Sequence, residues 1–421
     1  MRNGLGRRRL AAWLYAAPLL ARARPASAAK QYDPGVTDSE IKLGTTSPYS
    51  GPASSFGQYG RAQVAYFAML NAQGGINGRK VNLISLDDSY SPPKTIEQTR
   101  RLVESDGVFA IAGPLGTAPN AAIQKYLNSR KIPQLFLTSG GTRFNNPASF
   151  PWSVPLYPSY DTVGRVYARH VLATNPGAKI AVLYLNDDLG KDHLGGLRAG
   201  LGAKADAMIV STQSHEISDP VVDAQVITLQ SSGADTVFLL TTPKFAAQGI
   251  RKMADIGWQP QRFLSNTAAS ISATLVPAGL EHSAGVMTAE WEKRPDDPEW
   301  AASPDMMAFL DTMKKYAPSA DLSEDALVPG YVNAAMIAQV LAACGDELTR
   351  ENVLNKATHL SGAAPPMLLP GIHLSNSPTV YTAFHQLRLA QFNGTRWVGL
   401  GELVDLSEVG AGPKQAGDGR K

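Results

Sequence analysis

From Glu40 onward, short apolar runs alternate with longer amphipathic ones, and this alternation restricts the fold more than any other feature of the chain. "IKLGTTSP", "KVNLISLDD", "VFAIAG" and "PQLFLTSGG" read as strands. Between them, "GQYGRAQVAYFAMLNAQGG", "PPKTIEQTRRLVES" and "APNAAIQKYLNSR" read as helices; the first is stopped by Gly74 and Gly75 and the second opens on proline. A strand that reaches the next strand through a helix pairs with it in parallel, and parallel sheets need cover on both faces. After "FPWSVPLYPSY" the pattern restarts. A helix to about Ala173 is followed by strand "KIAVLYLNDD", helices "GKDHLGGLRAGLG" and "VVDAQVITLQSSG", strand "DTVFLLTT", helix "KFAAQGIRKMADIGW" and strand "RFLSNTA". The expectation is an α/β protein with two doubly wound parallel-sheet lobes, each of domain size. The last third breaks the rhythm: "AGVMTAEW" reads as one strand, helices follow from about Pro304 to Ala357, and "GIHLS", "HQLRLAQF" and "RWVGL" read as closing strands. So few strands complete existing lobes rather than build a third.

The ends change how charge is read. "RRRLAAWLYAAPLLARARPASAA" has a basic start, a short apolar stretch and an Ala-x-Ala end, the order of a secretory leader cleaved near Ala28. Removing residues 1–28 takes six Arg and no acid, so the formal charge goes from +3 to −3. The basic isoelectric point then carries no argument for nucleic acid, and no later Lys/Arg cluster interleaved with aromatics supplies one. Cys344 is the one cysteine, so an exported chain must be held by its cores without a disulfide. No cysteine closes the leader to take a lipid, so a free, unanchored monomer is expected. The polar, glycine-rich stretch 407–421 reads as a flexible tail.

No strong catalytic signature is present: no H-E-x-x-H, no G-x-S-x-G and no G-x-x-x-x-G-K-[ST]. The pairs Asp87-Asp88 and Asp187-Asp188 end strands, but adjacent strand residues point to opposite faces, so each pair reads as a turn capping the next helix. His193 reads as an exposed helix residue. No cofactor or metal is expected, and an enzyme using the Asp pairs is the reading set aside.

What remains is a set of small-residue turns at strand carboxyl ends, where open α/β sheets bind ligands. "SPYSGPASSFGQYG" projects Phe56 ahead of a helix. "GPLGTAPN" places Thr117 as a cap on the next helix, leaving backbone N–H groups open. "TSGGT" delivers Thr142 from a tight glycine turn. Hydroxyl and N–H donors without a lysine suit one carboxylate better than a phosphate chain, which would be under-neutralised.

These residues also resemble a known family. The stretch from "GTTSPYSGPASSFGQYG" to "TIEQTRRLV", with "NAQGGINGRKV", "DD…PPK" and "YLNDDLGKD", is similar to type I periplasmic solute-binding proteins. Within them it resembles the branched-chain amino-acid (Leu/Ile/Val-type) substrate-binding subunits of ABC importers, from about Asp38 to Val404. The resemblance implies two lobes joined by three crossovers: lobe 1 from residues 39–156 and 286–368, lobe 2 from 157–285 and 369–406. It implies a periplasmic monomer that closes on one ligand and delivers it to an inner-membrane ABC permease. By the same resemblance Phe56 packs on the ligand, while Leu115, Gly116, Thr117, Gly141 and Thr142 grip its carboxylate. Thr242 and Asn266 or Thr267 contact it from lobe 2. The acid that amino-acid binders carry near 266–267 is missing, and a second acid is replaced by Tyr160 unless Asp161 serves. A buried ammonium group without a carboxylate partner costs several kcal/mol. The expected ligand is therefore a small organic acid without an α-amino group, aromatic or branched to suit Phe56, Tyr157, Tyr160, Leu189 and Trp291. An amino-acid binder with Asp161 or Glu290 as ammonium partner, and a ligand-presenting sensor, are the alternatives.

Overall fold

The computed structural model describes residues 30–406; the leader, its cleavage near Ala28 and the 407–421 tail lie outside the described residues. A peripheral strand β1 (Gln31–Tyr32) pairs in parallel with β12 (Glu347–Leu348). The first sheet holds β2 (Glu40–Ser47), β3 (Lys80–Asp87), β4 (Ala110–Ala112), β5 (Gln134–Leu137) and β6 (Ser153–Pro155), in the spatial order β3-β2-β4-β5-β6 and all parallel. Leu43 of β2 stands between Leu83 and Ala110. The second sheet holds β7 (Ile180–Leu185), β8 (Ile209–His215), β9 (Thr236–Leu240), β10 (Gln261–Leu264) and β11 (Met287–Glu290), ordered β8-β7-β9-β10-β11. Beyond β11 lie β13 (Gln386–Phe392) and β14 (Trp397–Asp405), both joined antiparallel. The runs that read as continuous apolar strands are the buried ones: "VFLL" of β9 and "LFL" of β5 are fully enclosed.

The two sheets repeat one topology. In each, the first strand has the second strand on one side and the third on the other, so successive crossovers leave in opposite directions. That reversal opens a crevice at the strands' carboxyl ends. Helices α1 (Gly57–Ala72), α2 (Pro92–Arg100) and α3 (Thr117–Ser129) cover the first sheet; α4 (Tyr160–Thr174) and α5 (Asp188–Leu201) belong with the second. The chain passes between the sheets three times: after β6, after β11 and before β13.

The second passage corrects the sequence boundary. Residues 286–290 were expected to open the return to the first lobe, yet β11 pairs with both β10 and β13, so the crossing begins at Trp291. "GIHLS" forms no strand either; Leu374 makes only isolated bridges to Ala363 and Phe384.

Glycines set one close approach that matters for the site. A Cβ on Gly164 of α4 would stand 2.6 Å from Leu197 N, and one on Gly196 of α5 would stand 2.6 Å from the Asp161 carbonyl carbon. With hydrogen in place of a side chain, the first turns of α4 touch the middle of α5 backbone to backbone. That contact brings Tyr160 and His193 together.

Candidate functional site

The cleft lies where the carboxyl ends of both sheets meet. It encloses about 80 Å³. From the first sheet come Phe56 after β2, Tyr90 after β3, Leu115, Gly116 and Thr117 after β4, and Thr138 after β5. From the second come Leu189 after β7, Pro243 after β9, Asn266 and Thr267 after β10, and Glu292 and Arg294 after β11. Tyr157 and Tyr160 complete the wall from the first crossover. Nine of the twelve residues singled out in the sequence line this space: Phe56, Leu115, Gly116, Thr117, Tyr157, Tyr160, Leu189, Asn266 and Thr267.

Three do not. Gly141 and Thr142 line a separate chamber behind Tyr157, together with Asp161. Thr142 is exposed, and both its N–H (2.7 Å) and hydroxyl (3.1 Å) are held by the Asp192 carboxylate. Tyr160 stands between the two spaces: a Cβ on Gly140 would meet its ring at 2.6 Å. The two turns thus meet through Ser139 and Thr117, but Thr142 does not converge on the same point. Thr242 is buried at the N-cap of the helix Pro243–Asp255; its Oγ1 finds no partner and it is Pro243 that reaches the cavity.

Thr117 also departs from its expected role. Gly116, at φ 114°, takes the cap position and Thr117 is the first helical residue. Its hydroxyl lies 2.9 Å from Ser139 Oγ and 3.2 Å from the Tyr160 hydroxyl, and its N–H donates to Tyr90 Oη at 3.3 Å. The phenol of Tyr160 therefore occupies the space facing the Thr117 hydroxyl. Burial raises the pKa of both tyrosines, so each hydroxyl stays protonated at neutral pH.

The opposite wall is charged, which sequence reasoning missed. Arg294 is buried, with Nη1 2.7 Å from Asp325 and Nε 3.7 Å from Glu290. Arg388 lies 2.7 Å from Glu290 on the other side. Glu292 lines the cavity beside them with a buried Oε2 that has no hydrogen-bond partner, and desolvation raises its pKa well above the ordinary glutamate value. The only signal in the sequence was the dense charge of "EWEKRPDDPE" directly after an apolar strand.

The other candidates are used structurally. Asp161 pairs with Arg165 at 2.7 Å, and Glu290 is consumed by its two arginines, so neither faces the cavity as an open acid. Trp291 is core, edge-on to Tyr157 and Phe384. Asp187 caps α5 by accepting from Leu189 and Gly190 N–H; Asp88 accepts from Tyr90 N–H and the Thr95 hydroxyl. His193, expected on the surface, is fully buried and stacks on Tyr160 at 4.5 Å. Among the described residues no group of three or more His, Cys, Asp or Glu is placed to hold a metal ion.

This layout, two α/β lobes meeting at their strand carboxyl ends around one cleft, is that of a two-lobed binding protein. Residues 40–395 match the periplasmic binding protein family, and the chain belongs to it. A curated relative, "Amino acid binding protein" of Pseudomonas aeruginosa, is 25% identical over 245 residues, which is 57% of this chain and 64% of that protein's own length. Two solved structures share the fold. A substrate-binding periplasmic protein from Ralstonia solanacearum is 24% identical, with a TM-score of 0.76 over 86% of this chain and 100% of its own. A branched-chain amino acid ABC transporter protein from Thermus thermophilus, crystallised with bound valine, is 16% identical, with a TM-score of 0.78 over 89% of this chain and 99% of its own.

Proposed function

We propose that this chain is the exported substrate-binding subunit of an ABC importer, which captures a small organic acid with an apolar body and delivers it to an inner-membrane permease. One observation carries the reading: a single small cavity is walled by the carboxyl ends of both sheets, so that one ligand touches both lobes. Contacts made to both lobes at once exist only in the closed state. Their free energy is then the driving force for closure. The apolar body would lie among Phe56, Leu115, Tyr157 and Leu189. Its carboxylate would lie against the Tyr160 hydroxyl near the N-terminus of α3, where the helix dipole favours negative charge.

The amino-acid reading has one observation in its favour. The preference for a ligand without an amino group rested on the missing acid at 266 and 267, and Glu292 supplies an unpartnered carboxylate on the cavity wall. The amino-acid-binding name of the Pseudomonas relative points the same way. The test is a thermal-shift panel of aromatic acids, branched aliphatic acids and amino acids. A ligand at 100 times its Kd adds about 2.7 kcal/mol to stability. Thr117→Ala should weaken binding of the responding compound at least several-fold and Thr142→Ala should leave it unchanged. Turnover of a responding compound, or equal effects of the two substitutions, would overturn the proposal.

A further inference from the structure

We infer that closing the two lobes takes up a proton, because closure inserts the carboxylate of Asp325 into a charge cluster that is balanced without it. The inference rests on the lobes parting, as the binding-subunit reading requires, and concerns what closure demands of the hinge. The cluster belongs to the second lobe and the second passage. Arg294 lies over the Trp397 ring at 5.3 Å, donates to the Ala269 carbonyl at 3.3 Å and stands 3.7 Å from Glu290, so its guanidinium is fixed to the second lobe. Arg388 of β13 holds Glu290 at 2.7 Å, and Arg396 holds Asp297 at 2.9 Å. Lys293 is paired with Asp305 at 2.7 Å, and Asp296 is exposed to water. Two acids, Glu290 and Glu292, thus face two guanidiniums, Arg294 and Arg388.

Asp325 comes from the other lobe, in the segment that leads into the helix Leu327–Ala343 packed on α1. Its Oδ2 lies 2.7 Å from Arg294 Nη1 and accepts from the Ile271 N–H at 3.2 Å, across the cleft. Three acids then share two guanidiniums. Glu324, half-buried beside Asp325 on the cavity wall, adds acid and no cation, and Tyr157 on the same wall keeps its proton because burial raises its pKa. An uncompensated buried carboxylate costs more than protonating it, so the surplus ends as one neutral acid shared between Asp325 and Glu292, whose buried Oε2 has no partner. Burial acts in that direction on both: it raises Glu292 well above the ordinary glutamate value and pushes Asp325 up to about 6, against the attraction of Arg294. When the lobes part, Asp325 returns to water, where an aspartate titrates at about 3.9, and Arg294 is left for Glu292. The closed form therefore binds more protons than the open one, and closure is favoured as pH falls.

The test needs no ligand. Spin labels on Ser54→Cys and Ser218→Cys, exposed on opposite sides of the cleft mouth, report lobe separation by double electron–electron resonance, while Cys344 is buried and stays unlabelled. From pH 8 to pH 5 the short-distance population should grow, its ratio to the long one rising by up to about ten-fold per pH unit. Glu292→Gln and Asp325→Asn each remove the surplus, so each should be more closed than the wild type at pH 8 and nearly indifferent to pH. Asp187→Asn removes a different buried acid, one pushed up to about 7, and should leave the pH response intact. A response that survives both Glu292→Gln and Asp325→Asn, or that vanishes in Asp187→Asn, overturns the inference. Two populations whose ratio ignores pH in the wild type overturn proton uptake and leave the hinge standing. A single distance at every pH in all four proteins overturns the inference and also counts against hinge closure, and so against the binding-subunit reading.

Discussion

Glu292 is the group whose replacement says most about the site. Three carboxylates, Glu290, Glu292 and Asp325, surround Arg294, and the second guanidinium, Arg388, neutralises only Glu290. The surplus falls on Glu292, whose Oε2 is buried and unbonded. Desolvation raises its pKa far more than the attraction of Arg294 lowers it, and Asp325 and Glu290 raise it further. An acid whose folded pKa lies above its unfolded value holds its proton more tightly when folded. The folded state therefore loses stability as pH rises from the unfolded pKa, near 4.3, through the folded one. Each unit of that gap costs about 1.4 kcal/mol once pH exceeds the folded pKa. Glu292→Gln removes the titration and keeps the shape. It should stabilise the unliganded protein at pH 7.5, by about 1–3 kcal/mol for relief of one unsatisfied buried group, and give no gain at pH 4. The assay is thermal denaturation of both proteins across that range. A variant less stable at pH 7.5, or one equally stabilised at every pH, would refute the account of Glu292 as an uncompensated buried acid.

Further outcomes follow from named contacts. Asp187 caps α5 but burial pushes its carboxyl up to about 7, so it weakens the fold as pH rises between about 4 and 7. Asp187→Asn keeps an effective cap and should raise the melting temperature at pH 8 but not at pH 4; a loss at pH 8 would show that its charge is needed. Tyr160→Phe removes the oxygen beside Thr117 and should cost about 0.5–1.5 kcal/mol of unliganded stability. As Tyr160 also lines the cavity, the same variant should weaken binding of the matching acid, measured by calorimetry. Gly140→Ala drives a methyl against the Tyr160 ring and should destabilise the protein by about 1–3 kcal/mol, visible as a lower melting temperature. Cys344 is buried, with its thiol pushed up to about 11, so iodoacetamide at pH 8 should leave the folded protein unmodified and label it only after denaturation.

The alternation of apolar runs was enough to read both sheets, because a parallel strand buried on two faces leaves an unbroken apolar stretch in the sequence. It failed where burial and pairing separate. "GIHLS" has the composition of a strand, yet Leu374 is buried by loop packing with only isolated bridges. "AGVMTAEW" was read as a strand, but its lobe depends on which neighbours it pairs with, and these are β10 on one side and β13, about 100 residues away, on the other. The candidate site divides in the same way. Phe56 and Leu115 could be placed from turns at strand ends, because the switch point fixes where a strand delivers its following turn, whereas Asn266 came from the family resemblance.

Direction was not legible. "TSGGT" and "GPLGTAPN" carry the same donors in adjacent turns that meet through Ser139 and Thr117, and whether Thr142 joins them depends on what stands between. Here that is Tyr160, and its position is set by the approach of α4 to α5 through Gly164 and Gly196, pairs of residues about 30 apart whose meaning appears only when the helices meet. The same contact decides His193. On a helical wheel it is one polar residue among several in "GKDHLGGLRAGLG"; once Gly196 lets α4 approach, the ring is enclosed against Tyr160 and its proton is committed to Leu189. A substitution that separates the helices should therefore act on the cavity from outside it. Gly196→Ala would place a methyl 2.6 Å from the Asp161 carbonyl carbon and tilt Tyr160 away from Thr117. The loss of ligand discrimination should exceed the loss of stability if the glycine contact sets the site, and the two should fall together if it serves packing alone.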